Sequence, residues 1–311
     1  MSEFLVTGGA GFIGSHIVEH LVGRGAKVRA IDNLSTGKAA TIDLFRGKVD
    51  FIEGDIRDAA TCRKACRGVR VVFHEAAMPS VPKSVADPLT SHDCNINGTF
   101  NMLMAARDEK VARFVYAASS SAYGESPTLP KLESMPTDPL TPYAVNKLAG
   151  EHYCRAFAEV YGMSTVALRY FNVFGPRQDP TSQYAAAIPA FITHIMRDQP
   201  PTIYGDGEQT RDFTYIENVV RGNMLAAEAK GLRGQVINLA CGERVSVNRI
   251  IAQINKLLGK QVRPNHVDPR AGDIKHSQAD ITRARELLGF EPVVNFDDGL
   301  KRSIEWFKAN L

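Results

Sequence analysis

The sequence predicts an α/β fold built on a doubly wound parallel sheet, and three observations carry that prediction. Short apolar runs alternate with stretches of helical periodicity from Phe4 to Tyr170. The first run ends in a glycine-rich turn that opens a helix. After Tyr170 the alternation breaks, which points to a smaller, discontinuous α/β domain placed toward the C-terminus.

Taken in order, Phe4 to Thr7 is the first strand, Ser15 to Val22 the first helix, and Lys27 to Asp32 the second strand, a βαβ opening. Strands follow at Val49 to Glu53, Arg70 to His74, Phe114 to Ala118 and Thr165 to Tyr170, with helices between them near 58–67, 84–107 and 143–161. From Asn172 to about Arg211, loops rich in Pro, Gly and Asp surround one helix at 184–198. Phe213 to Ala229 and Gln235 to Ala240 then return to the sheet as a helix and a strand, and 246–258, 280–288 and 297–309 are helical. The expected partition is 1–171 with 212–240 as one domain and 172–211 with 241–311 as the other.

Composition narrows the class of protein. With 311 residues, 44% hydrophobic and 23% charged, the chain can bury one large core or two medium ones. A net charge of +3 without a basic run argues against nucleic acid and acidic membranes as partners. Five cysteines read as reduced thiols, and Cys62 and Cys66 lack a second ligand pair, so no metal is expected. The N-terminus enters a strand at once and no apolar segment approaches the length of a membrane span, so a cytoplasmic protein is expected.

The turn Gly8-Gly9-Ala10-Gly11-Phe12-Ile13-Gly14 sits between strand and helix, where glycines let backbone amides approach a pyrophosphate and the helix presents its positive end. Asp32 closes the second strand 18 residues after Gly14, where a carboxylate accepts hydrogen bonds from an adenosine ribose and repels a 2′-phosphate. A Rossmann-type sheet binding NAD rather than NADP is the reading. Asp55 ends the third strand region and suits either an adenine contact or the N-cap of the next helix.

Tyr143 and Lys147 stand four residues apart behind Pro142, so they share one helical face. An ammonium beside a phenol favours the phenolate, and lowering a Tyr pKa from about 10 toward 7 takes roughly 4 kcal/mol of preferential stabilisation. Taken alone, such a pair on an exposed helix is far more often a surface contact than a catalytic one.

Together with the glycine turn, Ser119-Ser120-Ser121-Ala122-Tyr123-Gly124 and the Tyr143/Lys147 pair, the segments Leu168 to Gly175, Arg211 to Ile216 and Arg270-Ala271-Gly272-Asp273 make the chain resemble the extended short-chain dehydrogenase/reductases. Within them it is most similar to the UDP-hexose 4-epimerases. The resemblance implies a UDP-sugar oxidised at C4 with Tyr143 as base, Lys147 beside it and Ser119 on the sugar hydroxyl, followed by rotation of the 4-keto sugar and reduction on its other face. The first domain is then the NAD-binding one and the second the sugar-nucleotide one.

The resemblance also assigns the remaining contacts. For the cofactor it points to Gly8, Gly11, Phe12 and Ile13 at the turn; to Asp32, Asn33, Ser35, Thr36 and Gly37 after the second strand; and to Asp55, Ile56, Ala76, Ala77, Asn95 and Tyr170, besides Tyr143 and Lys147. For the substrate it points to Ser119, Ser120, Ser121 and Tyr143, to Asn172 on the diphosphate, and to Ile188, Thr202 and Tyr204 around the uridine. Arg211 and Arg270 suit the phosphates in bidentate fashion, with Asp273 and Ser277 completing the set.

Three positions depart from the common pattern. Glu75 places a carboxylate where relatives usually have an apolar residue, Pro79 stands where some have Gly or Lys, and Ser277 occupies the position whose size is linked to sugar choice. A small residue there admits an N-acetyl group, so plain and N-acetylated sugars are both expected. UDP-glucuronate 4-epimerase is the nearest alternative. Dehydratase and decarboxylase readings are disfavoured because the positions after Ser119 are Ser120 and Ser121 rather than carboxylates, and a non-catalytic binder is disfavoured because all three reacting residues are kept. A homodimer through the helices at 84–107 and 143–161 is implied, with Met102, Met104, Tyr153 and Phe157 as compatible apolar residues that core packing explains equally well.

Overall fold

The computed structural model describes residues 2–180, 187–269 and 275–311. β1 (Phe4–Thr7) leads through the glycine turn into α1 (Phe12–Gly23), and β2 (Val28–Asp32), α2 (Ala39–Asp43) and β3 (Val49–Glu53) follow. α3 (Ala59–Cys66) begins at Asp58, whose carboxylate accepts from the amides of Ala60 and Thr61 and so closes two orphan N–H groups. The cap is therefore Asp58, not Asp55. β4 (Val71–His74) is buried throughout.

The single helix expected over 84–107 is broken in three. α4 (Val81–Ala86) and α5 (Pro88–His92) each carry proline in the first turn and are capped by Ser80 and Asp87. Pro88 has no N–H with which to continue α4, so the chain restarts. A π-helical turn, Asp93–Asn97, then runs into α6 (Gly98–Asp108). Asn95 lies inside that turn and so is not a helix cap.

β5 (Arg113–Ser119) ends in a 3₁₀ turn over Ser120–Tyr123. α7 (Pro142–Tyr161) is opened by the Thr141 hydroxyl, which accepts from Ala144 N, and closed by Gly162 at φ 68°. It lies tight on β5, since a Cβ on Gly150 would stand 2.2 Å from the Tyr116 hydroxyl. β6 (Thr165–Tyr170) completes the regular half.

Beyond it the expected loops contain short strands: β7 (Val173–Phe174), then α8 (Ala187–Met196), β8 (Thr202–Tyr204), β9 (Thr210–Arg211) and β10 (Thr214–Tyr215). Residues 184–186 of the expected helix lie outside the described residues. α9 (Ile216–Glu228) starts later than periodicity suggests because Thr214 and Tyr215 pair with β7. β11 (Gln235–Leu239), β12 (Val245–Ser246), α10 (Val247–Leu258), β13 (Asn265–Val267), α11 (Thr282–Leu288) and α12 (Phe296–Asn310) finish the chain.

Seven strands form one sheet in the order β11-β6-β5-β4-β1-β2-β3, every pairing parallel. The order reverses between β1 and β4, and such a switch point opens a crevice at the strand C-termini. Alternating residues supply the two faces. Val6, Phe73, Val115 and Leu168 pack with Ile17, Val18 and Val219 of α1 and α9, a core that continues to Ile192, Ile250 and Phe307. On the other face Leu5, Val72, Phe114 and Tyr116 meet Met102, Leu103 and Phe157 of α6 and α7. Met102 and Phe157 are thus core residues of this chain, whereas Met104 and Tyr153 are only partly buried. No helix among the described residues is long and apolar enough to cross a membrane.

Candidate active site

At the switch point the glycine turn is shaped by backbone contacts that exclude side chains. Gly8 has φ 67°, and a Cβ on it would stand 2.9 Å from Ala76 N; one on Gly14 would stand 2.1 Å from Gly8 O. α1 therefore starts directly against β1. Its N-cap, Gly11, supplies no side-chain acceptor, so the first-turn amides of α1 are not capped by a residue and face an anion's place. This cradle fits a dinucleotide pyrophosphate.

The loop after β2 folds back on the same turn. Asp32 is buried, with Oδ2 accepting from Ala10 N at 2.9 Å and Oδ1 from Leu34 N at 2.8 Å. Burial raises its carboxyl above the usual range while the Leu34 and Ala10 amides oppose that rise. Gly37 packs on this carboxylate, where a Cβ would lie 2.9 Å from both oxygens. Asn33 accepts from Ser35 N and Oγ and donates to Asp55 Oδ2 at 2.8 Å, and Thr36 completes the loop. Arg57 grips Asp55 from its other side and, as the main cause, brings its carboxyl down to about 2. Asp32 and Asp55, with the neutral amide of Asn33 between them, thus line one rim. Ile56 turns inward against Gly98, and its carbonyl accepts from Asn101 Nδ2 at 3.1 Å. Phe12 and Ile13 are half-buried in the first turn of α1.

Beside β4, Ala76 N donates to Thr7 Oγ1 at 3.0 Å, and Thr7 and Thr99 hold the two nitrogens of His74 at 2.8 and 3.0 Å. Burial pushes the His74 imidazole down to about 3, so it is neutral. Ala77 follows, and the next residue, Met78, is clamped by Asn95: Met78 N donates to Asn95 Oδ1 at 2.7 Å. The amide of Asn95 is spent on this loop, and the π-helical turn is what aims it there. Pro79 belongs to the same loop.

Ser119 closes β5 and Tyr143 opens α7, and the fold brings the Ser119 hydroxyl close enough to the Tyr143 phenol to favour its ionised form. Ser121 N and Oγ also donate to Ser119 Oγ, at 3.2 and 2.9 Å, and Ser120 lies in the same turn. Burial raises the Tyr143 phenol, and the nearby Ser119 hydroxyl opposes that rise. Lys147 is 4% exposed, donates to Ala117 O at 2.7 Å and lies over the Tyr116 ring. Burial lowers its ammonium to about 8, against the pull of Glu75 and Glu151. Tyr170 ends β6 with its hydroxyl 2.9 Å from Glu75 Oε1, so its polar group serves the protein itself.

Sequence reasoning missed the groups that fix these side chains. Ser84 of α4 accepts from Tyr143 N at 3.1 Å, and Ser91 of α5 accepts from Asn146 Nδ2 at 3.0 Å. Under the site, Glu151 and Arg169 form a bidentate pair at 2.7 and 2.8 Å, each 3% exposed. Such contacts leave no local signal. The prolines that segment α4 and α5 were the available hint.

The residues expected on the substrate form a second group. Asn172, at φ 34°, donates through Nδ2 to Asp212 O at 2.9 Å, tying the end of β6 to β9 and β10. Arg211 donates through Nη1 to Thr210 O and Lys275 O. Ser277 N donates to Thr210 O at 3.0 Å, so Arg211 and Ser277 adjoin. The Ser277 hydroxyl is buried and without a hydrogen-bond partner among the described residues. Thr202 and Tyr204 are exposed on β8 while Ile188 and Ile203 are core. Arg270 and Asp273 lie outside the described residues. Among the described residues no cluster could hold a metal ion.

Residues 4–240 match the NAD dependent epimerase/dehydratase family. This chain belongs to that family. A putative UDP-glucose 4-epimerase of Methanocaldococcus jannaschii is 39% identical over 308 residues, covering 98% of both chains. Among solved structures, a UDP-N-acetylglucosamine 4-epimerase from Methanobrevibacter ruminantium in complex with UDP-N-acetylmuramic acid is 41% identical at TM-score 0.95, covering 100% of both chains. A UDP-glucuronic acid 4-epimerase from Bacillus cereus, in complex with UDP-glucuronic acid and NAD, is 36% identical at TM-score 0.92, covering 99% of this chain and 100% of that one.

Proposed function

We propose that the chain is a UDP-sugar 4-epimerase that uses NAD to invert C4 of a UDP-hexose, the plain and the N-acetylated sugars alike. The observation that carries this reading is the convergence of Ser119, Tyr143 and a buried Lys147 at the strand ends that also bear the glycine turn. The Gly8 to Gly14 cradle would hold the pyrophosphate and Asp32 the adenosine ribose. When bound, the nicotinamide supplies a reversible acceptor for the hydrogen on C4.

The protein's own part is proton transfer and grip. Ser119 orients the sugar 4-hydroxyl, and Tyr143 takes its proton and later returns it. Lys147 supplies positive charge that offsets the cost of a buried phenolate. Ser120 and Ser121 carry no acid or base for elimination, so the keto sugar is left to be reduced again. Asn172 and Arg211, with Arg270 from the segment after β13, hold the diphosphate, and Ser277 leaves room for an N-acetyl group. In this reading 1–171 and 212–240 serve the cofactor, and 172–211 and 241–311 serve the sugar nucleotide. Phe100, Val160 and Tyr161, exposed along α6 and α7, support a homodimer through those helices.

The deciding experiment is incubation with UDP-glucose, UDP-N-acetylglucosamine and UDP-glucuronate separately, with each 4-epimer resolved by chromatography. Epimers of the first two are expected. Turnover of UDP-glucuronate alone would make the chain a uronic acid epimerase, and water loss or carbon dioxide release from any of them would overturn epimerisation.

A further inference from the structure

Glu75 stands where three strands reach a common end. It follows His74, and His74 pairs with Tyr116 of β5, so Glu75 is level with Ala117, whose carbonyl accepts from Lys147. On the other side of β5, Tyr170 of β6 pairs with Ser119 and reaches back to Glu75 Oε1 at 2.9 Å. Asn223 of α9 in turn donates to the Tyr170 hydroxyl at 2.8 Å. The other oxygen, Glu75 Oε2, is buried with no hydrogen-bond partner among the described residues.

A buried carboxylate oxygen without a donor is costly unless positive charge is brought to it. Burial holds the Glu75 carboxyl up at about 7, against the pull of Tyr170 and Lys147, so a further positive charge nearby fixes it as carboxylate. The next residue, Ala76, touches Gly8 of the phosphate cradle. Glu75 thus lies between that cradle and the Tyr143/Lys147 pair, and neither phosphate binding nor proton transfer uses it. Oxidised and reduced nicotinamide differ by one unit of charge, since a hydride carries one proton and two electrons. Lys147 by itself disfavours the positive, oxidised ring, and a carboxylate at the same strand ends offsets that bias.

We propose that Glu75, held by Tyr170, is a positioning residue whose negative charge makes the site prefer the oxidised cofactor over the reduced one. Its consequence is that hydrogen is returned promptly to the 4-keto sugar and the enzyme is not stranded in reduced form. The inference rests on the reading of the chain as an NAD-dependent epimerase. Its test compares wild type, Glu75→Gln and Glu75→Leu, each titrated calorimetrically with NAD⁺ and, separately, with NADH.

The preference for NAD⁺ over NADH is expected to fall about tenfold in both variants, the order of one partly screened unit charge. During turnover of a UDP-hexose both should also accumulate the near-ultraviolet absorbance of reduced nicotinamide. Tyr170→Phe keeps the carboxylate but removes its donor, and it should lower the preference by a smaller factor even if the Glu75 variants fail to fold. An unchanged ratio in the folded variants overturns the inference alone. Wild-type protein that binds neither dinucleotide overturns it together with the reading beneath it.

Discussion

At the scale of single residues, the site is a set of groups made reactive by burial and held by neighbours. Burial raises the Tyr143 phenol and Ser119 opposes that rise, and in the proposed mechanism Lys147 supplies the charge that offsets a phenolate there. Tyr143→Phe should therefore cut epimerisation by about 10²-fold to 10⁴-fold, the range for loss of a general base, with NAD and UDP-sugar affinities within a few-fold of wild type. Full activity by coupled assay would refute Tyr143 as base. Ser277, its hydroxyl buried and unpartnered beside β9, is the residue where bulk should decide between sugars. Ser277→Tyr is expected to lose activity on UDP-N-acetylglucosamine and keep it on UDP-glucose; equal losses on both would remove Ser277 from sugar selection.

Among the elements, the join of β1 to α1 tolerates little change. A methyl group on Gly14 meets the Gly8 carbonyl at 2.1 Å, and that contact is backbone, which cannot swing aside. Gly14→Ala should lower the melting temperature and weaken NAD binding in calorimetry, whereas Gly23→Ala, where a Cβ meets nothing within 4 Å, should do neither. The glycine turn, Asp32 and the Tyr143/Lys147 helix were legible in the sequence because each depends on residues close together in the chain. β6 matched its expected bounds because a parallel strand buried on both faces is a near-continuous apolar run, and β3, a partly exposed edge strand, matched its bounds as well. The division of 84–107 was misread because an apolar pattern persists across Pro88 while the backbone cannot. β7 to β10 went unseen because two- and three-residue strands carry no periodicity. Ser84, Ser91 and the Glu151/Arg169 pair could not be read at all, since their partners lie far away in sequence.

For the molecule as a whole, buried titrating groups pull stability in opposite directions. Burial keeps His16 and His74 neutral, with pKa values pushed to about 4 and about 3, while the unfolded chain protonates them near 6.5. Their contribution is complete above that pH and is lost as pH falls through the folded values. Glu75 and Asp212 are raised to about 7 by burial; theirs is complete below about 4 and is lost as pH rises through 7. Between pH 7 and 5 the two sets trade, so the wild-type melting temperature should change little, while Asp212→Asn should fall as the solution is acidified. A wild type that falls as steeply as the variant would show that the carboxyls do not offset the histidines. The strand order has another consequence, one for synthesis. β11, which covers β6, is drawn from residues 235–239, so a chain emerging from the ribosome carries the fully buried strand Thr165–Tyr170 as an open edge until some seventy further residues have been made. During that interval an apolar strand with unpaired backbone groups can recruit any similar strand. A nascent chain of this topology is thus at its most aggregation-prone just after α7 and β6 have been translated, and chaperone occupancy on translating ribosomes should peak there.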